Sequence, residues 1–197
     1  MIVINARFLT QQVSGVQRFA EQISLSLARL RSDLHFVAPP GEILRPEIAH
    51  QLRVEQIGRR GGHLWEQVDL PLWLARHGRP LLVSLCSTAP LAYSRQVVTH
   101  HDITYVRHPD SFSWKFRALY RLMIPLMLRR SLAQVTVSEF SRQEIASHYG
   151  IPPKGIHVIA NAVSAEFCSG LEAATGERPY VLAVSSPAAH KNFTRLI

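Results

Sequence analysis

Met1-Ile2-Val3-Ile4, a loop from Leu9, and then Ser14-Gly15-Val16-Gln17-Arg18-Phe19 open the chain: an apolar run passes through a polar turn into a segment of helical periodicity. Val16, Phe19, Ile23, Leu27 and Leu30 recur at three- and four-residue steps, which gives a helix one stripe to lay on a sheet. Ser14 followed three positions later by Gln17 is a capping-box pattern and marks where that helix starts. The alternation continues along the chain. Apolar, strand-like runs fall near 1–7, 34–38, 52–57, 80–85, 95–101, 133–137, 156–159 and 179–185. Helical stretches fall near 16–31, 64–77, 113–130, 139–149 and from 191 onward. Strands that alternate with helices specify an α/β fold, a parallel sheet with helices on both faces. A second capping box, Ser141-Arg142-Gln143-Glu144, belongs to the helix that stops at Gly150, with Pro152-Pro153 just beyond.

The 197 residues are 47% hydrophobic and 18% charged, which excludes a disordered chain. Cys86 and Cys168 are the only cysteines. Two are too few for a disulfide scaffold or a tetrathiolate metal site, and a reducing, cytoplasmic setting is expected. The most apolar helical stretch, Leu122 to Leu128, contains Pro125, is flanked by Arg121 and Arg129, and is far short of the ~20 residues of a membrane span. Lys and Arg number 22 against 14 Asp and Glu, a net charge of +8. Only Lys115, Lys154 and Lys191 are lysine, so Arg, the better fork for phosphate and carboxylate, dominates. That excess fits a phosphorylated substrate, an anionic membrane surface, nucleic acid, or simply a solvated surface.

Four segments carry candidate chemistry. The turn at Ser14, Gly15 and Val16 leads into a helix N-terminus, which can hold an anion, although the same residues also serve as an ordinary cap. Val97-Val98-Thr99-His100-His101-Asp102 ends an apolar strand in two histidines and an aspartate. The crevice beyond such strand ends is where open α/β sheets place ligands, and a His there can act as a hydrogen-bonding or acid–base group. Adjacent strand residues point to opposite faces, so His100 and His101 do not converge on one ion, and no metal site is expected. Residues 113–130 place Phe116, Leu119, Tyr120, Met123, Ile124, Leu126 and Met127 on one arc of a helix, and Lys115, Arg117, Arg121 and Arg129 on the other. This pattern suits either a core stripe with a solvated face or a helix resting on an anionic membrane, and Pro125 is expected to kink or split it. His190-Lys191-Asn192 puts a cation beside the start of another helix, where it suits a diphosphate or merely forms a cap. No Walker sequence, nucleophile elbow or dinucleotide glycine fingerprint is present.

In order and spacing these segments resemble the retaining nucleotide-sugar glycosyltransferases of the two-Rossmann GT-B architecture, the "group 1" family (family four), with bacterial hexosyl- and mannosyltransferases of polysaccharide assembly as relatives. The matching stretches are Val13 to Phe19, Val98 to Thr104 with Arg107-His108-Pro109-Asp110, Thr136 to Ser141 with Val158 to Val163, and Tyr180 to Ser185 with His190-Lys191-Asn192. Trp65-Glu66-Gln67 and Ala89-Pro90-Leu91 fit as well. The resemblance implies a Rossmann-like, acceptor-side domain over residues 1–160, an interdomain linker over 161–178, and the start of a donor-binding domain over 179–197. Such a chain is expected to be inactive alone, and its strand near 179–185 to pair with a sheet edge of its own or of another copy, giving a homodimer or swap.

Carried over by position, the resemblance assigns His101 to the transferred sugar as the catalytic residue. It gives Ser14, Gly15, Val16, His190 and Lys191 to the donor sugar and diphosphate, and His100, Asp102, Ser138 and Glu139 to sugar or acceptor. His190 stands where the family has Arg, Ser185 where it has Gly, and Ala160-Asn161-Ala162 where it has Pro-Asn-Gly. The implied reaction moves a hexosyl unit such as mannose from a nucleotide sugar to a saccharide or polyprenyl-linked acceptor. It needs no cofactor and no obligatory metal, and the basic helix faces the inner side of the membrane as a peripheral anchor. Two other classes remain. A nucleic-acid-binding module is motivated by the charge but lacks a reader motif, so nucleic acid is not expected as a partner. Another nucleotide-sugar Rossmann enzyme, such as an epimerase, lacks its Gly-x-Gly-x-x-Gly turn.

Overall fold

The computed structural model describes residues 1–163, 182–184 and 189–195. Seven strands form one sheet in the order β3-β2-β1-β4-β5-β6-β7: β1 Ile2–Asn5, β2 Leu34–Ala38, β3 Glu55–Gln56, β4 Leu81–Ser84, β5 Gln96–Thr99, β6 Ala133–Thr136 and β7 Ile156–Val158. Every pairing is parallel, with Ile4 of β1 opposite Phe36 of β2 on one side and Val83 of β4 on the other. The sheet is therefore Rossmann-like, and its order reverses between β1 and β4, the place where such sheets open a crevice.

Alternate residues of the strands feed two cores. Ile4, Phe36 and Ala38 pack with Phe19 and Ala20 of α1 (Gly15–Leu30) and Ile48 of α2 (Pro46–Gln51). Val3, Val37 and Leu82 pack with Trp65, Leu70 and Leu74 on the other face. Those last residues belong to a continuous helical segment: α3 (Gly62–Leu64), a π-helical turn over Trp65–Asp69, and α4 (Leu70–Arg76). A third cluster gathers Val98 of β5 with Ile124, Met127 and Leu128 of α6 (Trp114–Arg130) and Ile145 and Ala146 of α7 (Glu139–Tyr149). Most of the stripe that periodicity gives α1 and α6 is thus turned to the core.

Several expectations change. Leu30, the last residue of the α1 stripe, is exposed at the helix end, while Phe19, Ile23 and Leu27 of that stripe pack against the core beside buried Ala20, Glu21 and Ser24. Glu21 is buried because Arg18 and Arg45 pair with it at 3.0 and 3.1 Å, which ties α1 to the residue before α2. The strand near 52–57 shrinks to Glu55–Gln56, because α2 precedes it and Arg53 turns the chain at a positive φ of 51°. The cap of α7 is Ser138, whose hydroxyl accepts from the Ser141 N–H at 3.0 Å, so the Ser141–Glu144 box caps nothing. Gly150 closes α7 in the left-handed region, as its sequence position requires.

Pro125 does not split α6, which is one helix of 17 residues. Pro125 lies near exposed Arg121, where the carbonyl that loses its donor can be hydrated. Leu126, placed on the buried arc by its spacing, is exposed together with Leu122 and Trp114, whereas Arg117 is half-buried. Of the strand near 179–185, Leu182, Ala183 and Val184 are exposed and pair with no strand among the described residues, and the remainder lies outside them. The helix from 191 onward is replaced by two 3-10 turns, Ala189–Lys191 and Phe193–Arg195, interrupted where Asn192 takes φ +54°. Of the linker, residues 161–163 carry no regular structure; 164–178 and Cys168 lie outside the described residues.

Candidate functional site

A cleft of about 360 Å³ opens at the carboxyl end of the sheet. Ser14 and Val16 from the start of α1, Ser87 from the β4–β5 loop, His100, His101 and Asp102 from the end of β5, and His190 and Lys191 line it. The wall opposite is aromatic. Phe112 stacks on Phe116 with centroids 5.2 Å apart, and Phe116 on Tyr120 at 3.9 Å. Three strand ends, those of β1, β4 and β5, thereby contribute to one crevice across the point where the strand order reverses.

Ser14 and Gln17 form the box their spacing predicts, with the Ser14 N–H donating to Gln17 Oε1 at 3.2 Å. Gly15 does not line this cleft. It faces an adjoining groove between α1 and Ala160–Val163. A Cβ built on Gly15 meets nothing within 4 Å, and its φ is not in the left-handed region, so packing does not demand glycine here.

His101 is buried and held from two sides. Its Nε2 lies 3.0 Å from the Leu85 carbonyl. A carbonyl only accepts, so Nε2 carries the proton and Nδ1 keeps a lone pair. The Phe19 ring meets the imidazole edge-on at 5.0 Å. Burial lowers the His101 pKa against the opposing pull of the Leu85 carbonyl and Asp102. The neutral imidazole can then accept a hydrogen bond from a hydroxyl at Nδ1. His100 sits between the rings of Tyr105 and Tyr149 at 6.0 and 6.1 Å. It is 1% exposed and neither ring nitrogen has a partner among the described residues. Burial pushes its pKa down to about 4. Asp102 is exposed, and its Oδ1 accepts the Thr104 N–H at 2.8 Å, opening the short helix α5 (Thr104–Arg107).

At the cleft's far end His190 Nδ1 lies 3.0 Å from the Ser111 hydroxyl, and its ring stacks on His108 and Phe112. Lys191 is exposed beside it. Ser138 and Glu139 do not join this group: Ser138 caps α7, and Glu139 pairs with Arg142 at 2.5 Å.

The structure adds residues that spacing does not disclose. Beneath the cleft Glu66, on the π-helical turn, accepts from Asn5 Nδ2 at 2.8 Å and from Arg7 Nε at 3.2 Å, and Arg7 Nη2 donates to Thr88 Oγ1 at 2.8 Å. Burial raises the Glu66 carboxyl, but the Arg7 charge and bonds from His63, Thr88 and Asn5 outweigh it and hold the group below the ordinary range. The next residue, Gln67, donates to Ala89 O at 3.0 Å and accepts from Leu91 N at 2.9 Å. The widened turn therefore aims two successive side chains at the β4–β5 loop, in which Ser87 has φ 26°. A pair 59 residues apart has no local signature; Glu66 and Gln67 lie in a stretch that fits the family resemblance, and Arg7 and Glu66 stand out as charged residues inside otherwise apolar segments.

Among the described residues no helix is long and apolar enough to cross a membrane. A family model described as Glycosyltransferase Family 4 matches residues 13–167. The chain is also similar to the O-antigen chain mannosyltransferase RfbU of Salmonella typhimurium, with 31% identity over 120 residues, 60% of this chain and 32% of that protein. The match thus spans about a third of the relative's length.

Proposed function

This chain belongs to glycosyltransferase family 4, and from that premise we propose that its cleft seats a nucleoside-diphosphate hexose and takes part in transferring the hexosyl unit, with retention at the anomeric carbon, to a saccharide or lipid-linked acceptor. Mannose is the sugar we favour, because the relative with 31% identity is named a mannosyltransferase. The observation that carries the reading is the convergence of the α1 N-terminus, His101 and Lys191 on one crevice.

The first turn of α1 leaves backbone N–H groups without helical partners and concentrates a partial positive charge at the cleft. Together with Lys191 it offsets the charge that grows on the leaving diphosphate, so no metal is required in this scheme. His101 stays neutral near pH 7 and accepts a hydroxyl of the transferred sugar at Nδ1, which fixes the ring while its bond to the diphosphate breaks. His101 is thus an orienting acceptor and not a cationic acid. The aromatic wall of Phe112, Phe116 and Tyr120 gives the acceptor an apolar face to lie on.

The test is hexose transfer by the full-length gene product and by its His101→Ala variant. Loss of transfer in the variant, with the fold retained, supports the assignment; equal turnover removes it.

A further inference from the structure

The side of α6 that faces away from the cleft carries its own pattern. Trp114, Ala118, Leu122, Leu126 and Arg129 succeed one another at three- and four-residue steps and so share one face. Trp114 is 69%, Leu122 64% and Leu126 40% exposed. Lys115 and Arg121 flank them, and Lys115 Nζ lies 5.7 Å from the centre of the Trp114 ring. The helix holds five cations, Lys115, Arg117, Arg121, Arg129 and Arg130, and no Asp or Glu. Among the described residues none of the five is ion-paired.

We propose that this face docks the protein on an anionic lipid surface, with Trp114, Leu122 and Leu126 entering the interface and Lys115, Arg121 and Arg129 meeting the headgroups. The three apolar side chains extend over about 18 Å of helix, and bare leucines beside unpaired cations need a partner that offers both acyl chains and negative charge. A bilayer leaflet with anionic lipids does so, and an indole belongs at its boundary. Nucleic acid would answer the cations and leave the leucines in water. A second copy of the chain would set one cationic face against another.

The geometry also gives the docking a consequence. Phe116 and Tyr120, on the opposite side of α6, line the cleft. One helix diameter, about 10 Å, then separates the leaflet from the aromatic wall. An acceptor tethered by a lipid would meet that wall without leaving the membrane. This last step rests on the lipid-linked acceptor proposed above, whereas the docking itself does not.

Cosedimentation with vesicles tests the docking and uses no sugar, so it can fail or succeed independently of the transferase reading. The full chain is expected to sediment with phosphatidylglycerol–phosphatidylethanolamine vesicles, less so as salt rises, and not with phosphatidylcholine alone. Leu122→Ser with Leu126→Ser should abolish binding. Lys115→Gln with Arg121→Gln should weaken it about thirtyfold, from the loss of two juxtamembrane cations. All four positions are exposed, so an unchanged thermal midpoint verifies the fold. As a second measurement, emission from Trp114, isolated in a Trp65→Phe, Trp73→Phe background of verified fold, should shift to the blue and resist acrylamide quenching when anionic vesicles are added. Absence of binding or of that shift, equal affinity for phosphatidylcholine, or unchanged binding by either double variant overturns the proposal. Self-association that the leucine variant abolishes, without vesicle binding, overturns it in favour of a second copy.

Discussion

The Phe19 ring stands edge-on to the His101 imidazole, with centroids 5.0 Å apart and planes at 87°. One residue comes from the buried stripe of α1 and the other from the end of β5, so the helix that opens the cleft also braces the side chain on its floor. Phe19→Leu should keep the core filled at a cost of about 1 kcal/mol and loosen His101. The expected result is transfer reduced by about tenfold with a thermal midpoint only slightly lowered. Full activity in that variant would show that the Leu85 carbonyl alone fixes the imidazole.

His100 predicts an acid-sensitive fold. Its folded pKa lies near 4, against 6.5 for the free side chain, because burial penalises the charged form. The unfolded state therefore binds the extra proton first. The stability His100 contributes is fully present above pH 6.5, falls as pH drops toward 4, and amounts to roughly 3 kcal/mol over that window. His101, lowered in the same direction, adds to the trend. Asp102, His101 and His148 are the charged or titrating groups that act on His100. Urea denaturation from pH 7.5 to 4.5 should show the decline, and His100→Gln should flatten it. A parallel decline in that variant would place the effect elsewhere.

Glu66 and Arg7 form a buried pair at 3.2 Å, with side chains 1% and 7% exposed. Glu66→Ala leaves the guanidinium buried without its counter-charge and should cost about 3–5 kcal/mol, read as a shift in the denaturation midpoint. Arg7→Met combined with Glu66→Leu removes both charges and should recover most of that loss. A double variant as unstable as the single one would contradict this account of the network.

Gly15 separates folding from ligand approach. Its side-chain position is open and its backbone conformation suits any residue, so Gly15→Ala in the first turn of α1 should leave stability unchanged or raise it by up to about 1 kcal/mol. If the donor passes close to this backbone, the same variant raises the donor KM by about tenfold with little change in kcat. An unchanged KM would move the donor away from Gly15.

The sheet and its long helices were legible because each is written locally. The stripe of Val16, Phe19 and Ile23, the apolar run into His100-His101-Asp102, and the Gly150 stop each need only a few neighbours to be read. What escaped was set by distant partners. The short helix α2 has Arg45 as its cap and six residues to show a period, and its place is fixed by Glu21 on α1. Leu126 and Leu30 fit their stripes by spacing yet face solvent, since a wheel does not reveal where a helix leaves its sheet. In the cleft, His101 followed from its strand end, and the resemblance pointed to Ser14 and Val16. Phe116 and Tyr120 read only as core. Glu66 lies in a stretch that fits the resemblance, but its pairing with Arg7 and the places of Ser87 and Thr88 were not legible, because their meaning lies in contacts across the fold.

The most direct measurement is hexose transfer from a panel of nucleoside-diphosphate sugars, mannose included, to a lipid extract of the producing cells, by the full-length gene product and by His101→Ala at matched folded fraction. The account predicts transfer from one sugar nucleotide and a loss of about a hundredfold or more in the variant. Undiminished transfer by His101→Ala, or no transfer from any sugar nucleotide, would contradict it.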